Sequence, residues 1–170
     1  MKHNHPEKIM DESTTSPAPA LLSEPWTTDD DALGLVVRHF KADSGTIHFI
    51  RDDGMLHLAA ATPGFPDAVL NAITTIPVGK GMAGLAVERG EPVDACNIQT
   101  DESGDVRTGA RATGLAGAIV VPIFRGQEVV GALGIANRGE RTFAEGEIGE
   151  LIDVGRAIAA KHPEAKATAR

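Results

Sequence analysis

The chain has 170 residues, enough for one domain with a real hydrophobic core and short extensions. Its 24 acidic and 16 basic residues leave a net charge of −8, which repels nucleic-acid phosphates and anionic lipid unless basic groups cluster. They do not: Arg107 and Arg111, the nearest approach to a cluster, share their segment with Asp101, Glu102 and Asp105. One cysteine, Cys96, excludes an internal disulfide and a four-cysteine metal site, and fits a reducing compartment. No apolar run approaches the ~20 residues of a membrane span, and the first 25 residues lack the apolar centre of a signal peptide. A cytoplasmic protein that acts on neither nucleic acid nor membrane is expected.

Residues 1–25 carry four prolines and little apolar periodicity, so they read as a disordered arm. His3 and His5 within it read as solvated residues, with only adventitious metal binding open to them. Thr27 and Thr28 followed by three aspartates supply caps and negative charge for a helix start. Leu33, Val36, Val37 and Phe40 then form one apolar stripe, with Gly45 as the stop. Residues 46–51 and 55–61 read as strands of a hairpin turning at Asp52-Asp53-Gly54. With a two-residue loop at Asp53-Gly54, His48 and His57 share a sheet face with Thr46, Ile50 and Ala59, while Ile47, Phe49, Leu56, Leu58 and Ala60 face the core. A three-residue loop would send His57 to the other face.

Two short helices follow, one within 65–75 and one over 82–89 stopped by Gly90, then a short strand over 91–95. Residues 118–124 and 128–137 form a second hairpin, in which Gly131 and Gly134 mark close approach of other groups to the backbone. A capping box with Thr142 as N-cap and Glu145 at the third position predicts the last helix, apolar along Ile148, Leu151, Ile152, Ile158 and Ala159 to about Lys161. Residues 26–162 are thus the expected domain and 163–170 a tail.

Between the third and fourth strands runs a polar segment of about 20 residues, from Asp94 to Gly114, where ~4–6 is typical. Such a loop is read as covering a ligand pocket. Asp101, Ser103 and Asp105 alternate as in a calcium loop, but Val106 stands where glycine is needed, so a solvated acidic loop is the better reading. Gly79-Lys80-Gly81-Met82-Ala83-Gly84 fits G-x-G-x-x-G, yet no buried parallel strand precedes it. What remains is a helix start near Gly81 whose free N–H groups suit an anion. Cys96 reads either as a small buried hydrophobe or as a reactive thiol beside Arg107 or Arg111.

In this order the elements and their motifs resemble a GAF domain. The matching segments include Ser44-Gly-Thr-Ile-His-Phe-Ile-Arg-Asp-Asp-Gly, Ile76-Pro-Val-Gly-Lys-Gly-Met-Ala-Gly84, Val129-Val-Gly-Ala-Leu-Gly-Ile-Ala-Asn137 and Thr142-Phe-Ala-Glu-Gly-Glu. The resemblance implies an α+β fold related to PAS domains, an antiparallel sheet with the terminal helices on one face and a small-molecule pocket on the other. It also implies that His48, His57 and the 96–114 loop look into one cavity, which in this family holds cyclic nucleotides, bilins, haem, amino acids or other metabolites, or is empty in dimerisation modules. The bilin cysteine-histidine pair is missing, since Asn97 follows Cys96, and Asn137-Arg138, Phe143 and Glu147 only partly match the cyclic-nucleotide signature. The free methionine-(R)-sulfoxide reductases of the family use several cysteines, and no disulfide-forming partner exists here for Cys96.

The expected function is a sensory module that binds a small polar or anionic metabolite and reports occupancy to a separate chain, with a homodimer surface on the terminal helices. The ligand set expected is His48, His57, Cys96, Asn97, Gln99, Asp101, Arg107, Arg111 and Thr113, with no catalytic or metal-ligating residue assigned and the cofactor left open. A thiol enzyme acting through Cys96 and a ligand-free dimer module are the rivals.

Overall fold

The computed structural model describes residues 19–169. Most of the predicted arm, with His3 and His5, lies outside the described residues. Helix α1 (Asp29–His39) opens on a reciprocal capping box. The Thr28 hydroxyl accepts from Asp31 N at 3.1 Å, and the Asp31 carboxylate accepts from the Thr27 and Thr28 amides at 3.1 Å each. The chain leaves α1 through Lys41 at φ 53°. Gly45 therefore does not stop the helix: it lies in strand β1 (Ser44–Ile50), where a Cβ would come within 2.8 Å of Leu33 Cδ1.

Strand β2 (Leu56–Ala61) returns antiparallel to β1, then α2 (Asp67–Ile73) and the two-residue β3 (Thr75–Ile76) follow. Helix α3 (Gly81–Arg89) ends at Gly90 with φ 65°, as its glycine predicts. Strand β4 (Val93–Ala95) enters the long loop, which holds a 3-10 segment at Thr108–Thr113. Strands β5 (Ala118–Arg125) and β6 (Glu128–Ala136) lead to α4 (Glu145–Ala159). The six strands form one antiparallel sheet in the order β3-β2-β1-β6-β5-β4. No helix among the described residues is long and apolar enough to cross a membrane.

Period-2 alternation divides the sheet into two faces. Ile47, Phe49, Ile119, Val121, Ile123, Leu133 and Ile135 meet Leu33 and Val36 of α1 and Leu151, Val154 and Ile158 of α4 in the main core. On the other face Ile50, Leu56, Val129 and Ala132 pack with Ile76 and Val87. Gly131 sits opposite Phe49, and a Cβ there would run into the His48 carbonyl, which is the close approach expected of it.

The first hairpin turns through three residues. Gly54 N donates to Arg51 O, Arg51 N donates to Met55 O, and Gly54 takes φ 76°, the left-handed residue that closes a three-residue loop. Ile50 consequently faces Leu56, and His57 pairs with Phe49. Of the two registers open to the sequence the three-residue one holds, and the expected place of His57 beside His48 is corrected: His57 does not share the face of His48, and a bulge beyond Leu58 returns Ala60 to the core face opposite Ile47.

Three more differences follow from tertiary contacts. Helix α4 starts after Ala144 rather than Thr142, because Glu147 Oε1 accepts from Ala144 N at 3.2 Å and Glu147 Oε2 accepts from Arg141 at 2.8 Å. Within the expected arm, residues Ala20–Ser23 form a 3-10 turn with Leu22 buried in the main core. The expected tail runs back along the sheet: Lys166 N donates to Ile50 O, Thr168 N donates to Val129 O, both at 2.9 Å, and Ala165 is buried.

Candidate ligand-binding site

A cavity of about 520 Å³ opens on the face of the sheet away from α1 and α4. Ala68, Val69, Ala72 and Ile73 of α2 form one wall, Ile76 and the α3 start at Gly81 and Met82 the second, and Arg107, Gly109, Ala110 and Ala112 of the long loop the third. Its volume suits a small ligand. The size arises from side-chain choice: alanine and glycine stand where leucine would fill the space between α2 and the loop.

The loop that closes this cavity is built from its own polar side chains. Asn97 Oδ1 accepts from Gln99 N at 2.9 Å, while Asn97 Nδ2 donates to Glu140 at 3.0 Å. Gln99 Nε2 donates to the carbonyls of Arg111 (3.1 Å) and Leu115 (2.7 Å), drawing the two ends of the loop together. Arg111 donates to Asp101 O, the Asp101 carboxylate accepts from Ser103, and Thr113 Oγ1 bridges Ala110 O and Leu115 N. Ile98 and Leu115 anchor the loop against Ala95 and Ala118. Arg89 at the end of α3 grips Asp105 with two hydrogen bonds of 3.0 and 3.1 Å, which hold the Asp105 carboxyl below the usual carboxylate range.

Of the nine residues expected to bind ligand, Arg107 alone lines the cavity. Asn97, Gln99, Asp101, Arg111 and Thr113 are engaged in holding the loop. His57 sits on the opposite face, its Nε2 2.7 Å from Asp53 Oδ2. Cys96 is exposed just past β4, with the Thr142 hydroxyl 3.9 Å from its sulfur. His48 lies on the cavity side of the sheet but beneath α2. Its Nε2 donates to Ile73 O at 2.8 Å, which fixes the proton on that nitrogen and leaves Nδ1 buried without a partner. Burial pushes the His48 imidazole below the ordinary histidine value; the Ile73 carbonyl opposes that shift and His57 adds to it. His48 thereby ties the roof helix to the sheet.

Sequence reasoning missed Ala68, Val69, Ala72, Met82 and Ala110 as site residues. They carry no chemistry of their own, and the only available signal was a run of small residues where two helices and a loop had to meet. The glycine motif at 79–84 is likewise a packing device. Gly79 N donates to Gly84 O, and a Cβ on Gly84 would strike Pro77 O.

The GAF domain family profile matches residues 28–160, so the chain belongs to the GAF domain family. Solved structures share its fold. The GAF domain of a phosphoenolpyruvate-protein phosphotransferase from Coxiella burnetii is 22% identical with a TM-score of 0.64, covering 78% of this chain and 79% of that one. A domain of a putative two-component sensor histidine kinase from Sinorhizobium meliloti 1021 is 17% identical with a TM-score of 0.61, covering 77% and 86%. The free methionine-R-sulfoxide reductase of Neisseria meningitidis, solved with its substrate, is 19% identical with a TM-score of 0.63, covering 78% and 74%. No curated protein matches the chain.

Proposed function

We propose that the protein is a sensory GAF module that binds a small molecule in the α2–α3 cavity and reports occupancy to a partner. The observation that carries this reading is the cavity itself, about 520 Å³ held open between two short helices and a loop whose polar groups are satisfied internally. A loop folded this way is preorganised, so ligand binding need not supply its ordering cost. Occupancy would be felt through α2, whose last carbonyl is held by His48, and through the Arg89–Asp105 bridge that ties the loop to α3. Closure of these elements is the proposed switch.

The thiol-enzyme alternative draws on the fold likeness to methionine-R-sulfoxide reductases. It is disfavoured because Cys96 stands outside the residues that wall the cavity. Replacing Cys96 with serine tests it: ligand binding and thermal stability should both be retained, and loss of a measurable turnover would overturn the sensory reading. Native mass spectrometry of protein purified from its own cells should show a retained small-molecule mass. Absence of such a mass, with no thermal shift across a metabolite panel, would favour a ligand-free structural module.

A further inference from the structure

Resting on the reading of the α2–α3 cavity as a small-molecule site, we infer that its ligand is an amphipathic acid, with an aliphatic or aryl body in the cavity and a carboxylate at Arg107. The walls contain neither an aromatic ring on which a base could stack nor any side-chain hydrogen-bonding group except that of Arg107. A sugar or nucleobase placed there would find almost no side-chain partners for its donors and acceptors, a cost that hydrocarbon does not incur. The body of the ligand is therefore apolar, and of the small polar or anionic metabolite expected from the sequence only the anionic head group remains.

The head group follows from charge. No acidic side chain lines the cavity. The neighbouring arginines are engaged, Arg89 by Asp105 and Arg111 by Asp101 O. The side chain of Arg107 has no hydrogen-bond or ion-pair partner among the described residues, so its charge is available to a ligand. Its stem lies against Gly81: a Cβ there would stand 2.9 Å from Arg107 Cδ and 3.2 Å from Cγ, and Gly81 also takes φ 65°. Glycine at 81 thus makes room for the arginine at the start of α3, a helix without a side-chain cap. Cation and helix start favour an anion on the same side of the cavity.

The test titrates the full chain with straight-chain acids from butanoate to decanoate, with 3-phenylpropanoate, and with octan-1-ol and octylammonium as head-group controls. Affinity is read by calorimetry and location by amide shifts in α2 and α3. Affinity should tighten about fourfold per methylene, ~0.8 kcal/mol, until the cavity is full. Octanoate should bind at least about tenfold tighter than octanol or octylammonium, as a charge-assisted pair allows. Arg107→Gln should abolish the preference for acid over alcohol, and Arg107→Lys should restore part of it. Ala72→Phe should block acid and alcohol alike, with Ala68→Leu as the second blocking variant if Ala72→Phe lowers the melting temperature. The aliphatic series against 3-phenylpropanoate separates the two kinds of body. Equal affinity for octanol and octanoate, or an unchanged preference in Arg107→Gln, overturns the assignment of the head group. Binding of a polar metabolite in place of these acids, blocked by Ala72→Phe, overturns the inference while the sensory reading stands. If no small molecule moves the α2 and α3 amides, the sensory reading itself fails.

Discussion

The two faces of one sheet are put to different uses. Against α1 and α4, large branched and aromatic side chains close-pack: Ile47, Phe49, Ile119, Val121, Ile123 and Leu133 are fully buried, and a glycine is required at 131 to let β6 approach β1. On the other face the buried set is smaller, and α2, α3 and the loop meet through several alanines and glycines beside Val69, Ile73, Met82 and Arg107, leaving a cavity. Stability concentrated on the first face permits underpacking on the second. A domain that filled both would be more stable and would have no cavity.

The sharpest way to break this contrast is to truncate one side chain on each face. Phe49→Ala removes a fully buried ring that stacks on His162 at 4.2 Å between centroids, and should cost about 3–5 kcal/mol in urea unfolding. Ile73→Ala, on the half-exposed cavity wall, should cost about 1 kcal/mol. Equal costs would mean that the second face is packed as tightly as the first and that the cavity is not a feature of the folded chain.

The next test concerns the loop. Gln99→Ala removes two hydrogen bonds to carbonyls that clamp its ends, and at about 0.5–1.5 kcal/mol net per bond the cost should be about 1–3 kcal/mol. Hydrogen exchange should rise in residues 99–115 and stay unchanged in β1, β5 and β6. Uniform acceleration would mean that the loop unfolds with the core rather than separately.

The division of faces was largely legible in the sequence, and its consequences for the site were not. The apolar runs of β5 and β6, the apolar stripes of α1 and α4, and Gly90 as a helix stop all act through local pattern or backbone conformation, which sequence encodes directly. The register of the first hairpin was not decided, because Asp52-Asp53-Gly54 suits both a two- and a three-residue loop, and one residue decides the face of His57. Thr142 and Glu145 match a capping box, but Arg141 and the Ala144 amide claim Glu147 and move the helix start. The polar loop residues had the right chemistry for a ligand. Composition cannot reveal that Asn97, Gln99 and Thr113 are used by neighbouring backbone, whereas alanines that shape a cavity have no chemical signature.

The smallest expected effect is a difference in slope, and it sets one histidine from each face against the other. His162, after α4, stacks on Phe49, holds Asp29 at 2.7 Å and Glu164 at 2.8 Å, and its carbonyl accepts from Arg125. Burial alone would lower its pKa, but the two carboxylates outweigh burial and raise it above the ordinary 6.5. A raised folded-state pKa contributes stability that is fully present below about pH 6.5 and is lost as pH rises through the folded value. His48 has the reverse sign. Its pKa is lowered, chiefly by burial, so it contributes nothing above about pH 6.5 and an increasing penalty as pH falls, when the unfolded chain takes up a proton that the folded one refuses. His162→Gln should therefore fall below the wild type most at pH 5–6 and approach it at higher pH. His48→Gln, whose amide can still donate to Ile73 O, should gain on the wild type as pH drops from 6.5 to 5. The His39–Glu150 and His57–Asp53 pairs are common to the wild type and both variants. Urea unfolding at half-unit pH steps reads both slopes. Slopes of the same sign would show that the two imidazoles lie in equivalent surroundings, against a closely packed, ion-paired helix face and a buried, unpaired cavity face.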